Sequence, residues 1–185
     1  QVLEALGAKI KKENGYFEVS ADGLHGAEIF LQEASVTATE NALIAASAAS
    51  GETIIKRAAS EPHVVDLCHF LIKMGAEIEG VGSNILKIKG SENLYGASHS
   101  VRPDHIEIGT FAILAAVTKS KLEISPIIKE DLDMNLLTLK KFGVEYEIKD
   151  DTLKIIGANL KAVEKVVTDV WPGFPTDLMA PMIVL

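Results

Sequence analysis

A block of sequence recurs three times along the chain at a fixed interval, and this repetition restricts the possible folds more than any other feature. Each copy contains a glycine, and Gly7, Gly75 and Gly143 stand 68 residues apart. Before each glycine the apolar residues recur three and four positions apart, which predicts an amphipathic helix that ends at a left-handed glycine. After each glycine, alternation of polar and apolar residues predicts strands. These strands include residues 16–19, 85–88 and 153–156.

A second helix recurs at the same interval. Residues 41–49 are echoed by residues 109–117, and a third copy begins at Thr176. These segments are apolar on nearly all sides, which predicts that the helices are buried. A short strand is predicted after each of the first two copies, at residues 53–55 and 122–124. The expected unit is a strand, a buried helix, a strand, an outer helix and a pair of strands. This α/β arrangement fits a prism with helices inside and sheets outside.

The composition is that of a soluble globular protein. Of the 185 residues, 48% are apolar and 24% are charged, which suits one ordinary domain or two small ones. The net charge of −8 argues against binding to a phosphate backbone, so no nucleic acid partner is expected. The longest Ala-rich apolar stretch, residues 42–49, falls short of the roughly 20 residues that span a bilayer. No membrane partner is expected, and a cytoplasmic location is predicted.

Cysteine and histidine give no sign of a metal or redox site. Cys68 is the single cysteine, so no internal disulfide can form, and its place in an amphipathic helix pattern between Leu67 and His69 predicts a packing role. The five histidines are scattered, and His63 and His69 have no third ligand at a usual spacing. We therefore predict no metal site and no cofactor.

Both ends of the chain are expected to be cuts through a longer protein. Residues 1–7 carry no initiator methionine or signal peptide and are predicted to form the last turns of a helix. Residues 178–185 stop inside an apolar run.

Four ordered blocks resemble the UDP-N-acetylglucosamine 1-carboxyvinyltransferases, a family of enolpyruvyl transferases. They are Ala34–Asn41, Ser60–Leu67, Val101–Phe111 and Trp171–Leu178. The resemblance implies an inside-out α/β prism of repeated βαβαββ units, in two domains that close over the substrates. It places residues 1–102, one and a half repeats, in the domain with the catalytic loop, and residues 103–185 in the second domain. The crossing is expected at Arg102-Pro103-Asp104, since proline disfavours regular structure before it.

The resemblance also implies an activity. The family transfers the enolpyruvyl group of phosphoenolpyruvate to the 3′-hydroxyl of UDP-N-acetylglucosamine, the first committed step of peptidoglycan synthesis. Phosphate leaves through a tetrahedral intermediate. The family's loop cysteine and its phosphoenolpyruvate-binding lysine and arginine match nothing in this sequence, so the 185 residues alone are expected to be inactive.

Three acidic residues match the family's catalytic positions. Asp177 matches the aspartate that hydrogen-bonds the attacking sugar hydroxyl, so it is expected to bind substrate and is a candidate general base. Glu61 and Asp104 match other acidic residues that line the cleft, where they could relay protons or orient cationic side chains.

A nucleotide-binding segment is implied at the start of a predicted helix. Ser35, Val36 and Thr37 match the residues that hold the nucleotide, and free N–H groups at a helix start favour anions without a metal. Thr37 stands where the family usually has glycine, and Glu33 stands where some members have lysine.

From the residues alone, other interpretations stay open. Asp177, Asp104 and Ser35 are also ordinary helix-capping residues, and Glu61-Pro62 is typical of a helix start. The chain could belong to another enolpyruvyl transferase of the same architecture, the 3-phosphoshikimate 1-carboxyvinyltransferase. It could also be a non-catalytic module of that fold. The sequence does not indicate an oligomeric state.

Overall fold

The secondary structure follows the predicted repeat. The computed structural model describes residues 1–185 and divides into an N-terminal unit, Gln1–Val101, and a C-terminal unit, Arg102–Leu185. The helices are α1 (Val2–Ala5), α2 (Val36–Ser47), α3 (Pro62–Lys73), α4 (His105–Val117), α5 (Asp133–Lys141) and α6 (Met179–Val184). The strands are β1 (Lys9–Glu13), β2 (Tyr16–Ser20), β3 (Glu28–Phe30), β4 (Glu52–Lys56), β5 (Glu77–Glu79), β6 (Ile85–Lys89), β7 (Leu122–Ile124), β8 (Val144–Lys149) and β9 (Thr152–Ala158). Two 3₁₀ turns, Lys129–Leu132 and Thr176–Leu178, lead into α5 and α6.

The N-terminal unit contains one complete copy of the predicted strand and helix order. Its sheet has the order β3-β4-β6-β5, in which β3 is parallel to β4 and the other neighbours are antiparallel. Burial alternates along β4 and β6, so one sheet face meets the helices. The centre of the core is formed by Leu43, Ile55, Leu86 and Ile88. Strands β1 and β2 form a separate hairpin.

The C-terminal unit repeats this sheet without its first strand. Strands β7, β9 and β8 are hydrogen-bonded in that order, as β4, β6 and β5 are in the N-terminal unit. The predicted strand before α4 is absent. Residues 90–104, which precede this helix, form no helix or strand. The repeat therefore predicts the strands that build both sheets but fails for this connection.

The repeated glycines end their helices as predicted. Gly7 and Gly75 have φ of +102°, and Gly143 has φ of +85°, all in the left-handed region. A Cβ at Gly143 would lie only 2.1 Å from the carbonyl oxygen of Asn159. This glycine is therefore required both by its backbone conformation and by the close approach of the next segment.

The prediction that the second helices are buried on all sides is wrong. Ile44 on α2 is 55% exposed, and Phe111 and Leu114 on α4 are 45% and 52% exposed. Each helix packs one face onto the core of its own unit, and the other apolar face stays open in this chain. None of the helices combines the length and apolar character needed to cross a membrane.

Candidate functional site

Ser35 caps helix α2, as one of its two interpretations predicts. Its backbone is extended, and its Oγ accepts a hydrogen bond from the Ala38 N–H at 3.3 Å. The Oγ also lies 3.4 Å from the Oγ1 of Thr37. Ser35 and Val36 are half-buried, while Thr37 is exposed. The predicted nucleotide-binding segment thus lies at the N-terminus of a 12-residue helix, where free N–H groups can meet an anion.

Thr39 joins this segment to the loop before α3. Its buried Oγ1 donates to the Ser35 carbonyl at 2.8 Å and accepts from the Ala59 N–H at 2.9 Å. The Arg57 guanidinium makes a second link by donating to the Gln32 carbonyl. The structure therefore brings the Ser35 segment and the loop that leads to Glu61 together.

Glu61 lies at the start of α3 with Pro62 in the first helical position, as predicted. Its side chain does not cap the helix. The carboxylate oxygen Oε2 is buried and has no hydrogen-bond partner. Leaving a buried carboxylate oxygen unpaired is costly, and a catalytic or ligand-binding role is one explanation for such a group.

Asp104 is the cap of α4. Its Oδ1 accepts hydrogen bonds from the N–H groups of Ile106 at 2.7 Å and Glu107 at 3.4 Å. The side chain is otherwise exposed, and residues 101–104 form no helix or strand. The neighbouring His105 is buried, and its ring meets Trp171 edge-on at a centroid distance of 5.4 Å.

Asp177 is not a helix cap, so the capping interpretation is wrong for this residue. It lies in the 3₁₀ turn Thr176–Leu178, and no side chain caps this turn or the following α6. The Asp177 Oδ1 accepts a hydrogen bond at 3.4 Å from the hydroxyl of Thr176. Asp177 is exposed, whereas Leu178 is buried beside α4. The turn is anchored by Leu178 and leaves the carboxylate accessible.

Two polar residues of the C-terminal unit were not singled out by the sequence. The Arg102 guanidinium donates to the Asp131 carboxylate at 2.6 Å, and the Asn135 side-chain amide donates to the His105 carbonyl at 2.9 Å. The first bond holds the side chain of a residue before Asp104, and the second holds the backbone carbonyl of the residue after it. The sequence could not single them out, because an amphipathic helix pattern does not reveal which polar residues are buried.

An open cleft lies away from the predicted site residues. A cavity of about 590 Å³ is lined by residues in and around β8, including Lys140, Tyr146 and Lys161. None of the predicted site residues lines it. No group of three or more His, Cys, Asp or Glu side chains is arranged to hold a metal ion.

Comparison with known proteins places the chain in a family. The sequence profile of the family described as EPSP synthase (3-phosphoshikimate 1-carboxyvinyltransferase) matches residues 1–185. The chain belongs to this family. The membership in the enolpyruvyl transferases that the four sequence blocks predict is confirmed.

Curated relatives carry a more specific name. A UDP-N-acetylglucosamine 1-carboxyvinyltransferase of Treponema denticola is 44% identical over 99% of this chain and 45% of its own length. The corresponding protein of Halothermothrix orenii is 43% identical over 99% of this chain and 44% of its own length. A UDP-N-acetylglucosamine 1-carboxyvinyltransferase 2 of Bacillus subtilis is 44% identical over 99% of this chain and 43% of its own length. The chain therefore spans slightly less than half the length of these relatives.

Solved structures support the fold. The enolpyruvyl transferase NikO from Streptomyces tendae superposes with a TM-score of 0.81 at 19% identity, over 98% of this chain and 46% of its own. An EPSP synthase from Acinetobacter baumannii superposes with a TM-score of 0.65 at 21% identity, over 88% of this chain and 40% of its own. The predicted α/β class is confirmed as the enolpyruvyl transferase fold.

Proposed function

We propose that this family member is part of an enzyme that transfers the enolpyruvyl group of phosphoenolpyruvate to the 3′-hydroxyl of UDP-N-acetylglucosamine. The observation that carries the proposal is the identity of 41% to 45%, over at least 99% of the chain, with curated relatives of that name. Peptidoglycan synthesis and a cytoplasmic location are part of the proposal, because UDP-N-acetylglucosamine is the acceptor.

Asp177 is the proposed general base. As the sugar hydroxyl oxygen bonds to the central carbon of phosphoenolpyruvate, the carboxylate accepts the hydroxyl proton, while the methylene carbon takes a proton from a separate general acid. In the second half of the reaction the bond to phosphate breaks and the methyl carbon loses a proton, which restores the double bond. An exposed carboxylate that caps no helix is free to approach a hydroxyl within about 3 Å, as proton transfer requires.

The N-terminal unit is proposed to hold the nucleotide. The segment Ser35, Val36 and Thr37 opens a 12-residue helix, whose positive end favours a diphosphate. Thr39 holds this segment against the loop that ends at Glu61. The buried and unpaired oxygen of Glu61 is suited to accept a hydrogen bond from a substrate or from a cationic side chain.

The wider architecture is proposed from the same resemblance. Residues 1–102 would belong to the domain with the catalytic loop and residues 103–185 to the second domain, each an inside-out prism of βαβαββ units. Asp104 would lie where the chain crosses between them. The complete copy of the βαβαββ order in the N-terminal unit supports the repeat.

A second candidate function follows from the description of the matched family. That description names the 3-phosphoshikimate 1-carboxyvinyltransferase, whose acceptor is a phosphorylated cyclohexene carboxylic acid in place of a UDP-sugar. A non-catalytic module of the same fold is the remaining alternative.

Phosphate release by the full-length protein separates these three functions. We expect release from phosphoenolpyruvate with UDP-N-acetylglucosamine and none with shikimate 3-phosphate. Release with only the shikimate acceptor would establish the second function, and release with neither would indicate a non-catalytic module. The 185-residue chain, assayed in parallel, should be inactive with both acceptors.

A further inference from the structure

Two buried polar side chains occupy one helical segment of the C-terminal unit. Asp131, in the 3₁₀ turn, is 8% exposed, and Asn135, four residues later in α5, is 3% exposed. They alternate with the buried Leu132 and Leu136. Because burial of a charged or amide group is unfavourable without hydrogen bonds, the contacts of these two side chains must account for their place in a leucine-rich core.

The contacts reach both sides of a candidate catalytic residue. Asp131 Oδ2 lies 2.6 Å from Arg102 Nη2, a charge-assisted hydrogen bond between two largely buried groups. Asn135 Nδ2 donates to the His105 carbonyl at 2.9 Å. Arg102 and His105 stand two residues before and one residue after Asp104. The same helical segment thus contacts the Arg102 side chain on one side of Asp104 and the His105 backbone on the other.

Asn135 also lies where the second carboxylate is anchored. A Cβ built on Gly109 of α4 would lie 2.7 Å from Leu178 Cδ1 and 3.2 Å from Asn135 Nδ2. Both side chains therefore approach the helix backbone through the space that glycine leaves. Leu178 is 1% exposed and directly follows Asp177. Leu178, which anchors the Asp177 turn, therefore packs against α4 at Gly109, and the Asn135 side chain lies beside it.

We propose that Asp131 and Asn135 are positioning residues for enolpyruvyl transfer. Their hydrogen bonds fix the start of α4, which carries Asp104, and Asn135 lies beside the packing site of Leu178, the residue after Asp177. Together they hold the two carboxylates in one fixed arrangement within the C-terminal unit. Both side chains are buried, so the proposed role is indirect and needs no contact with substrate. The inference rests on the proposed function, because it assigns a role in transfer to the two carboxylates.

The test uses the full-length protein and three substitutions on one helical segment. Asp131→Asn removes the charge that pairs with Arg102, and Asn135→Leu removes the amide donor at similar volume. Asp133→Asn is the matched control, since Asp133 lies between them and is exposed. Turnover, KM for UDP-N-acetylglucosamine, melting temperature and hydrogen exchange at the N–H groups of Ile106 and Glu107 are measured for each variant.

We expect both buried substitutions to lower kcat by about 10- to 100-fold, because small displacements of catalytic groups have effects of this size. KM should change much less, since an effect on transition-state geometry does not weaken uniform binding. Exchange at Ile106 and Glu107, whose N–H groups bond to Asp104, should accelerate. The control should match the wild type in all four measurements.

A lower melting temperature with unchanged kcat would overturn the positioning role, as would an equal loss of kcat in the Asp133→Asn control. If Asp131→Asn does not fold, Arg102→Lys is used, because it keeps the charge but loses the planar fork, and it should lower kcat in the same way. If the wild type releases no phosphate with either acceptor, the proposed function fails. Exchange at the two N–H groups then decides the structural part of the inference, and unchanged exchange overturns it.

Discussion

His99 Nε2 lies 3.0 Å from Asp66 Oδ1, and both side chains are close to 90% buried. The His99 ring also packs on Phe70 at a centroid distance of 5.4 Å. Asp66 belongs to α3, whereas His99 belongs to the connection without regular structure that ends the N-terminal unit. The pair therefore ties an irregular segment to a helix, in place of the strand that the repeat predicts.

Removal of this tie should destabilise the N-terminal unit. His99→Ala is expected to lower the free energy of unfolding by about 1 to 3 kcal/mol, because the substitution removes a hydrogen bond to a buried carboxylate. His69→Ala is the control, since His69 lies on α3, the helix of Asp66, and is exposed. Denaturant unfolding of both variants tests this, and equal stability of the two would contradict it.

The repeat allowed most of the regular structure to be predicted, because helix period, strand alternation and capping glycines are local signals. Strands Leu122–Ile124 and Glu52–Lys56 and the glycine ends of three helices were found in this way. The connection through His99 could not be predicted, since it is held by contacts distant in sequence, among them the His99–Asp66 pair and the hydrogen bond from the Tyr95 N–H to the Met74 carbonyl. The exposure of Ile44 and Phe111 was missed because a helix that is apolar all round carries no information about which face its own chain covers.

The candidate site was predicted unevenly for a similar reason. Ser35 and Asp104 were recognised because capping residues have strong local preferences. Asp177 has the same type of side chain and position, yet its turn is anchored by Leu178 and its carboxylate caps nothing. Asn135 was missed because its partner, the His105 carbonyl, is distant in sequence.

Cys68 should be unreactive in the folded protein. Burial raises the pKa of its thiol from 9.0 to about 11, although a backbone hydrogen bond acts in the opposite direction. At pH 8 the native chain should resist a thiol-specific reagent, because the thiolate is the nucleophile, and the chain in denaturant should react at once. Rapid labelling of the native chain would contradict burial.

The same pKa shift makes stability depend on alkaline pH. The folded pKa is raised, so the contribution of the neutral thiol is fully present below about pH 9 and is lost as pH rises through about 11. The free energy of unfolding should therefore fall across this range. It should fall less steeply in Cys68→Ala, which has no thiol to titrate.

Gly143→Ala should be more harmful than a matched glycine substitution. Gly15 and Gly143 have almost the same φ, +86° and +85°, but a Cβ at Gly15 would meet no atom within 4 Å. Gly15→Ala should cost about 1 to 2 kcal/mol for the left-handed conformation alone. Gly143→Ala adds the collision with the Asn159 carbonyl, so its melting temperature should be clearly lower. Equal melting temperatures would show that the segment at Asn159 moves aside freely.

The final prediction separates a base from a structural carboxylate at Asp177. Because Asp177 caps no helix and is exposed, Asp177→Asn and Asp177→Ala should both leave the melting temperature of the full-length protein unchanged. Asp104 provides the contrast. Its carboxylate caps α4, so Asp104→Ala should lose about 1 kcal/mol of stability, whereas Asp104→Asn should keep the cap.

At Asp177 turnover should fall although the melting temperature does not change. Both substitutions remove the proton acceptor, and general base catalysis contributes about 10²- to 10⁴-fold, so kcat should fall by that factor in Asn and Ala alike. If Asp177→Asn kept the wild-type kcat and only raised KM for UDP-N-acetylglucosamine, the carboxylate would bind the sugar hydroxyl without accepting its proton, because such a change removes uniform binding and leaves transition-state stabilisation intact.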